Sequence, residues 1–147
     1  MSDARTRCFE ASLARFQELR EYAERACSEA GISHDAAGRL IVVLEELFAN
    51  TVKHGYSRLP AQPDGQWVWI DLHCGEEGIE VVYEDAAPEH DPFARVALPD
   101  YSGAADSWQI GGVGVALVIR LGRRITYARS AGRNRIGFVI PARRGGA

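Results

Sequence analysis

A chain of 147 residues with 46% hydrophobic and 25% charged residues can build one two-layer core and has the make-up of an ordinary globular domain. Its net charge of −3 gives no electrostatic case for nucleic acid, and no stretch approaches the roughly 18 apolar residues of a membrane span. The first residues, Met1 to Glu10, are polar and charged, unlike a signal peptide, so the expected location is the cytoplasm, with no membrane partner.

Arg5 to Ala11 reads as an edge strand, and Ser12 as the cap of a helix. Behind it Leu13, Phe16, Leu19, Tyr22, Ala23 and Ala26 recur at helical spacing, and Gly31 is the expected stop. Ser33 can cap a second helix whose stripe is Leu40, Val43, Leu44, Leu47 and Phe48, ending near Gly55. Ser57 to Gln66 holds two prolines and a glycine and reads as a loop. Trp67 to His73 and Ile79 to Glu84 are β-rich and flank the turn Gly75 to Gly78, the pattern of a hairpin. Phe93 to Ile110 has no clear periodicity, and so long an irregular stretch in a compact domain suggests a functional lid. Val115 to Leu121 reads as a helix preceded by glycines. Arg124 to Arg129 and Arg135 to Ile140 read as strands around a turn at Ala131 to Asn134. The order β-α-α-β-β-loop-α-β-β predicts one α+β domain spanning 1–147: a two-layer sandwich of a mixed β-sheet with helices on one face.

The three cysteines, Cys8, Cys27 and Cys74, are scattered and odd in number, which argues against a disulfide framework and against a structural zinc site. Reduced thiols are expected.

Three segments stand out chemically. In the second helix Glu46, Asn50 and His54 are spaced by four, which places them in a row on one face with Lys53 beside them; the bland alternative is a solvated polar face. Asp85 ends an apolar strand and opens the loop through Pro92. A carboxylate there can accept a hydrogen bond from a ligand's amino group, or simply form a turn. Gly111, Gly112 and Gly114, around Val113, open a helix, where free backbone N–H groups suit phosphate. The Lys-Ser or Lys-Thr of a Walker loop is absent, and no strand stands directly before the glycines as a dinucleotide fingerprint requires.

Taken together, the segments resemble the gyrase/histidine-kinase ATPase superfamily, and within it the RsbW-type anti-sigma-factor serine kinases. Glu46, Asn50 and His54 match that branch's E-x-x-x-N-x-x-x-H box. Asp85, Asp91 and Pro92 match D-x-G-x-x-F-D-P. Gly111, Gly112, Gly114, Leu117 and Val118 match G-G-x-G-x-x-L-V, and Tyr127-x-Arg129 with Gly132-x-Asn134 also fits. Ala87 and His90 stand where the loop box has glycine and phenylalanine.

The resemblance implies a Bergerat-type ATP-binding fold with ATP and Mg²⁺ as cofactors. Asn50 would be the metal ligand and Glu46 the catalytic base. Asp85 and Ala87 would lie at the adenine, and Gly111, Gly112, Val113 and Gly114 at the phosphates under a lid formed from residues 93–110. Lys53 and His54 could contact phosphate. It further implies a protein serine/threonine kinase acting as anti-sigma factor or similar partner-switching regulator. Its partners would be a STAS-domain anti-anti-sigma protein, a sigma factor or other regulatory target, and possibly a second copy in a homodimer. A nucleotide-binding interaction module without kinase activity, and a remnant that works by protein contact alone, stay open beside it.

Overall fold

A computed structural model describes residues 6–60, 65–94 and 110–143. Among the described residues five strands form one sheet: β1 (Thr6–Glu10), β2 (Trp67–Cys74), β3 (Gly78–Asp85), β4 (Arg123–Ser130) and β5 (Arg133–Pro141). Three helices accompany them: α1 (Phe16–Glu29), α2 (His34–Asn50) and α3 (Ile110–Leu121). The sheet order is β1-β2-β3-β5-β4.

Strand alternation decides which face is covered. Val68, Ile70 and Leu72 of β2, Ile79, Val81 and Tyr83 of β3, and Ile136, Phe138 and Ile140 of β5 are all buried. They share one face because Ile70 lies opposite Tyr83 and Tyr83 opposite Ile136. The helices pack on that face; α2 lies between α1 and α3 and contacts both. Leu40, Val43, Leu44, Leu47 and Phe48, the stripe expected from spacing, are the buried side of α2. The helices and their one-sided cover confirm the α+β sandwich.

The sheet is antiparallel in every described pairing, where a mixed sheet was expected. Its order supplies the reason. The chain returning from α3 takes the outer position as β4, and the β4–β5 hairpin then brings β5 back against β3. The hairpin needs only Ala131 and Gly132, both at positive φ (52° and 77°), as a tight two-residue turn requires. In the β2–β3 hairpin, Gly78 has φ 144°, and a Cβ there would collide with the Ile140 carbonyl.

Boundaries differ in instructive ways. Ser12 precedes a 3₁₀ turn, Leu13–Arg15, and its side chain makes no capping bond; α1 begins only at Phe16, and Leu13 is left 49% exposed. At the other end of α1 the Gly31 N–H meets the Ser28 carbonyl at 3.1 Å and the Ile32 N–H meets the Cys27 carbonyl at 2.9 Å. With Gly31 at φ 72°, this is a Schellman stop. Ser33 caps α2 as expected, accepting from the Ala36 N–H at 3.2 Å. The last helix starts at Ile110, so Gly111, Gly112 and Gly114 lie within it and do not precede it. An apolar run from Val113 to Ile119 outweighs the low helix propensity of three glycines. Most of the expected lid, residues 95–109, lies outside the described residues. No helix among the described residues is long and apolar enough to cross a membrane.

Candidate functional site

The end of α2 is where the regular pattern breaks. After Asn50 the chain widens into a π-helical turn, Thr51–Gly55, followed by a 3₁₀ turn at Tyr56–Arg58. Such widened turns recur at functional sites. The break corrects one expectation: Glu46 and Asn50 are stacked on α-helical geometry, but the wider turn carries His54 off their row. Glu46 and Asn50 are half-buried, whereas Lys53 and His54 are exposed. Among the described residues none of these four side chains has a hydrogen-bond or ion-pair partner.

Thr51 stands at the start of the break. It continues the buried stripe of α2 yet is polar, and it is 4% exposed. Its hydroxyl donates to Asp85 Oδ2 at 2.8 Å and lies 2.6 Å from the Tyr83 hydroxyl. The Tyr83 hydroxyl has one proton, shared between that contact and the Leu47 carbonyl at 3.0 Å, a carbonyl that also accepts from the Thr51 N–H. Burial first, and the Asp85 charge second, push the Tyr83 hydroxyl well above its ordinary range, so it remains a donor at any working pH. A line of side chains therefore runs from α2 to the end of β3.

Asp85 is the buried terminus of that line. Its Oδ1 accepts from Asn134 Nδ2 at 2.9 Å and from the Ala87 N–H at 3.2 Å. Asn134, directly opposite Asp85 on β5, is itself buried and bonds the whole turn. Its Nδ2 also approaches the carbonyls of Ala87 (3.2 Å) and Pro88 (3.0 Å). Its Oδ1 accepts from the Tyr127 hydroxyl (2.6 Å) and the His90 N–H (3.1 Å). Arg129 adds a bond to the Ala87 carbonyl at 2.8 Å. Tyr56 closes the near side, accepting from the Ala86 N–H at 2.8 Å and donating to the Trp67 carbonyl at 2.6 Å. On the uncovered face Arg133 stacks 3.5 Å over the Trp69 ring and, with Arg135, holds Glu84. The last residues of β3 are thus fixed from both sides.

Ala87 does not project into open space. It is 2% exposed, and a Cβ built on Gly55 would stand 3.0 Å from its methyl. The methyl fills the place where Gly55 lacks a side chain. Asp91 shapes the next turn, its Oδ1 accepting from the Phe93 N–H at 2.9 Å, and Phe93 packs against the core.

The fold therefore brings the first two sequence segments together, Thr51 meeting Asp85 and Gly55 meeting Ala87. Gly111, Gly112, Val113 and Gly114 form the start of α3, the helix that packs on α2. Thr51, Tyr83 and Tyr56 carried no signal in the sequence reading. A polar residue in the buried stripe of α2, and a tyrosine two positions before a strand-end aspartate, are the marks that would have found the first two. Asn134, Arg129 and Tyr127 entered only through resemblance; the strand register supplies their physical reason.

A two-layer α+β domain with a buried, braced carboxylate at a strand end beside a helix end is the architecture to be placed. Residues 9–140 match the family described as the histidine kinase-like ATPase domain. The chain belongs to that family, which implies ATP binding. No curated protein matches. Among solved structures it is similar to the RsbU and RsbW domains of Rv1364c from Mycobacterium tuberculosis, at 16% identity and a TM-score of 0.59. That likeness covers 93% of this chain but 32% of the other, so the present chain spans about a third of that protein.

Proposed function

We propose that this chain binds ATP with Mg²⁺ and acts as a protein serine/threonine kinase of the RsbW type. In this reading it serves as an anti-sigma factor or similar partner-switching regulator in the cytoplasm. The observation that carries the nucleotide site is Asp85, 9% exposed. A carboxylate offers about four acceptor positions, and three are taken by Thr51, Asn134 and the Ala87 N–H. One acceptor remains for a ligand's amino group.

The donor set fits the cofactors. The Asn50 amide has no partner among the described residues and follows a helical row that supplies Glu46 one turn earlier. No group of three or more His, Cys, Asp or Glu side chains among the described residues could cage a metal. That suits Mg²⁺, which relies on few protein ligands together with substrate phosphates. When bound, Mg²⁺ and ATP supply charge neutralisation and the transferable phosphoryl group.

The chain's own residues do the rest. Asp85 accepts the adenine amino N–H, and Asn50 offers its amide oxygen to the metal. The backbone N–H groups at the start of α3, Ile110 to Gly112, face no earlier turn of their own helix and suit phosphate oxygens. Glu46 accepts the proton of the attacking hydroxyl, while Lys53 and His54 offer donors to phosphate. The hydroxyl belongs to a serine or threonine of a STAS-domain antagonist. The other partners proposed are a sigma factor or comparable target and a second copy of the chain. The RsbW-domain likeness supports this reading at the level of the fold.

The first test is thermal unfolding with and without Mg²⁺–ATP. At ~100 times its dissociation constant the ligand stabilises by about 2.7 kcal/mol, and Asn50→Ala and Asp85→Ala abolish the shift. Transfer of labelled phosphate to a STAS-domain protein, lost in Glu46→Gln, then tests the kinase. Binding without transfer would leave a nucleotide-gated interaction module. No shift at millimolar ATP would refute the site.

A further inference from the structure

Asp85 is held in a way that limits what it can read. Its Oδ1 has both acceptor positions in use, one on Asn134 Nδ2 and one on the Ala87 N–H. Its Oδ2 has one in use, on the Thr51 hydroxyl. The carboxylate is also pinned against rotation. Thr51 sits on the helix side and Asn134 on the neighbouring strand, and both are less than a tenth exposed. Thr51 is in turn fixed by Tyr83 and Tyr83 by Leu47.

We infer that Thr51 and Asn134 are specificity-determining residues that reduce Asp85 to a single outward acceptor and so select a 6-aminopurine over a 6-oxopurine nucleotide. The inference rests on the ATP reading above and deepens it. A 6-amino group donates one N–H to a lone acceptor. Guanine presents its O6 acceptor at that edge instead, so carboxylate oxygen and carbonyl oxygen would face each other. Guanine's own donors, the N1–H and the 2-amino group, lie side by side and need two free acceptors. A pinned Oδ2 with one free position cannot serve both. Without the Thr51 hydroxyl, Oδ1 stays on Asn134 and the Ala87 N–H while Oδ2 has both acceptor positions free, and the penalty against guanine falls. Thr51 touches neither base directly; it acts through Asp85.

The experiment is calorimetric titration of the full chain with Mg²⁺–ATP and Mg²⁺–GTP. Wild type is compared with Thr51→Val, which keeps the shape and loses the hydroxyl, and with Thr51→Ser, which restores it. The wild type should prefer ATP by more than about a hundredfold, as a site built around one hydrogen bond can. Thr51→Val should narrow the ratio by at least about tenfold, the scale of one lost discriminating contact, while Thr51→Ser stays near wild type. Should Thr51→Val melt without a folded baseline, Thr51→Ala carries the same comparison.

A parallel loss of both nucleotides in Thr51→Val, with the ratio unchanged, would make Thr51 merely structural and overturn the inference while leaving the ATP site standing. Equal binding of ATP and GTP by wild type would overturn it too. Binding of neither nucleotide by wild type would remove the ATP reading itself.

Discussion

The two ends of the candidate site are built on opposite plans. At the end of β3 the turn is tied down by side chains from neighbouring elements. Asp85, Ala86, Ala87, Pro88 and His90 are each bonded to Thr51, Tyr56, Arg129 or Asn134. At the end of α2 the side chains of Glu46, Asn50, Lys53 and His54 have no partner among the described residues. A group that must present one fixed acceptor gains from being locked before the ligand arrives. In the proposed reading these four groups meet a metal, phosphates and a second protein, and they stay free until then. The contrast assigns stability to one end and ligand dependence to the other, and it can be broken by mutation.

The largest effect is expected where the bracing converges. Asn134→Ala removes the donor to Asp85 and to two backbone carbonyls, and the acceptor for Tyr127 and His90. Several buried groups lose partners together, so the ligand-free fold should lose about 3 kcal/mol and its Tm should fall by roughly 6–12 °C. Thermal melts without nucleotide check this. A change no larger than that of a surface substitution would mean the turn holds its shape without Asn134.

The comparison also separates what the sequence revealed from what it concealed. Hydrophobic period placed α1, α2 and the β2–β3 hairpin, because burial on one face writes itself into spacing. Glu46 and Asn50 were found because polar side chains on a helix face are visible at four-residue intervals. Thr51 and Tyr83 were not, since a buried hydroxyl in an apolar stripe looks like a tolerated core residue until its partner 32 or 34 positions away is known. The π-turn that displaces His54 is equally silent in the sequence. It begins at Thr51, whose partners Tyr83 and Asp85 are a tertiary fact. The start of α3 was misplaced because glycine propensity is local, whereas packing on α2 is not.

The core between α1 and the sheet supplies a reference remote from both ends. Burial first, and the neighbouring Cys74 second, push the Cys27 thiol up to about 11. The folded chain therefore keeps a proton that the unfolded chain releases from about pH 9 upward. Stability is complete below the unfolded value and falls as pH rises through about 11, by roughly 2–3 kcal/mol for this one group. The buried tyrosines add loss of the same sign. The readout is thus the difference between wild type and Cys27→Ala in urea melts at pH 8, 9.5 and 11, and the variant should show the shallower decline.

Where the two ends touch, the effect should be smaller and should reverse. Gly55→Ala places a Cβ 3.0 Å from the Ala87 methyl, and overpacking of this kind costs about 1 kcal/mol or somewhat more. Ala87→Gly alone forfeits a buried methyl, about 0.8 kcal/mol. Combined, the two changes exchange one methyl for another across the same contact, so the double variant should be more stable than the sum of the singles predicts. Strict additivity in urea unfolding would show that the π-turn and the Asp85 turn do not interlock.

The smallest ligand-free effect belongs to the open end, and it is the most informative. Asn50→Ala removes an amide with no partner among the described residues, so unfolding without ligand should change by no more than about 0.5 kcal/mol. The same variant should forfeit the stabilisation that Mg²⁺–ATP gives wild type. Thermal melts of one preparation, with and without Mg²⁺–ATP, measure both quantities. A large loss already present without ligand would show that Asn50 holds the fold as Asn134 does, and the division between a prebuilt end and an open end would fail. A variant as stable as wild type and blind to nucleotide is what an amide kept free for a metal requires.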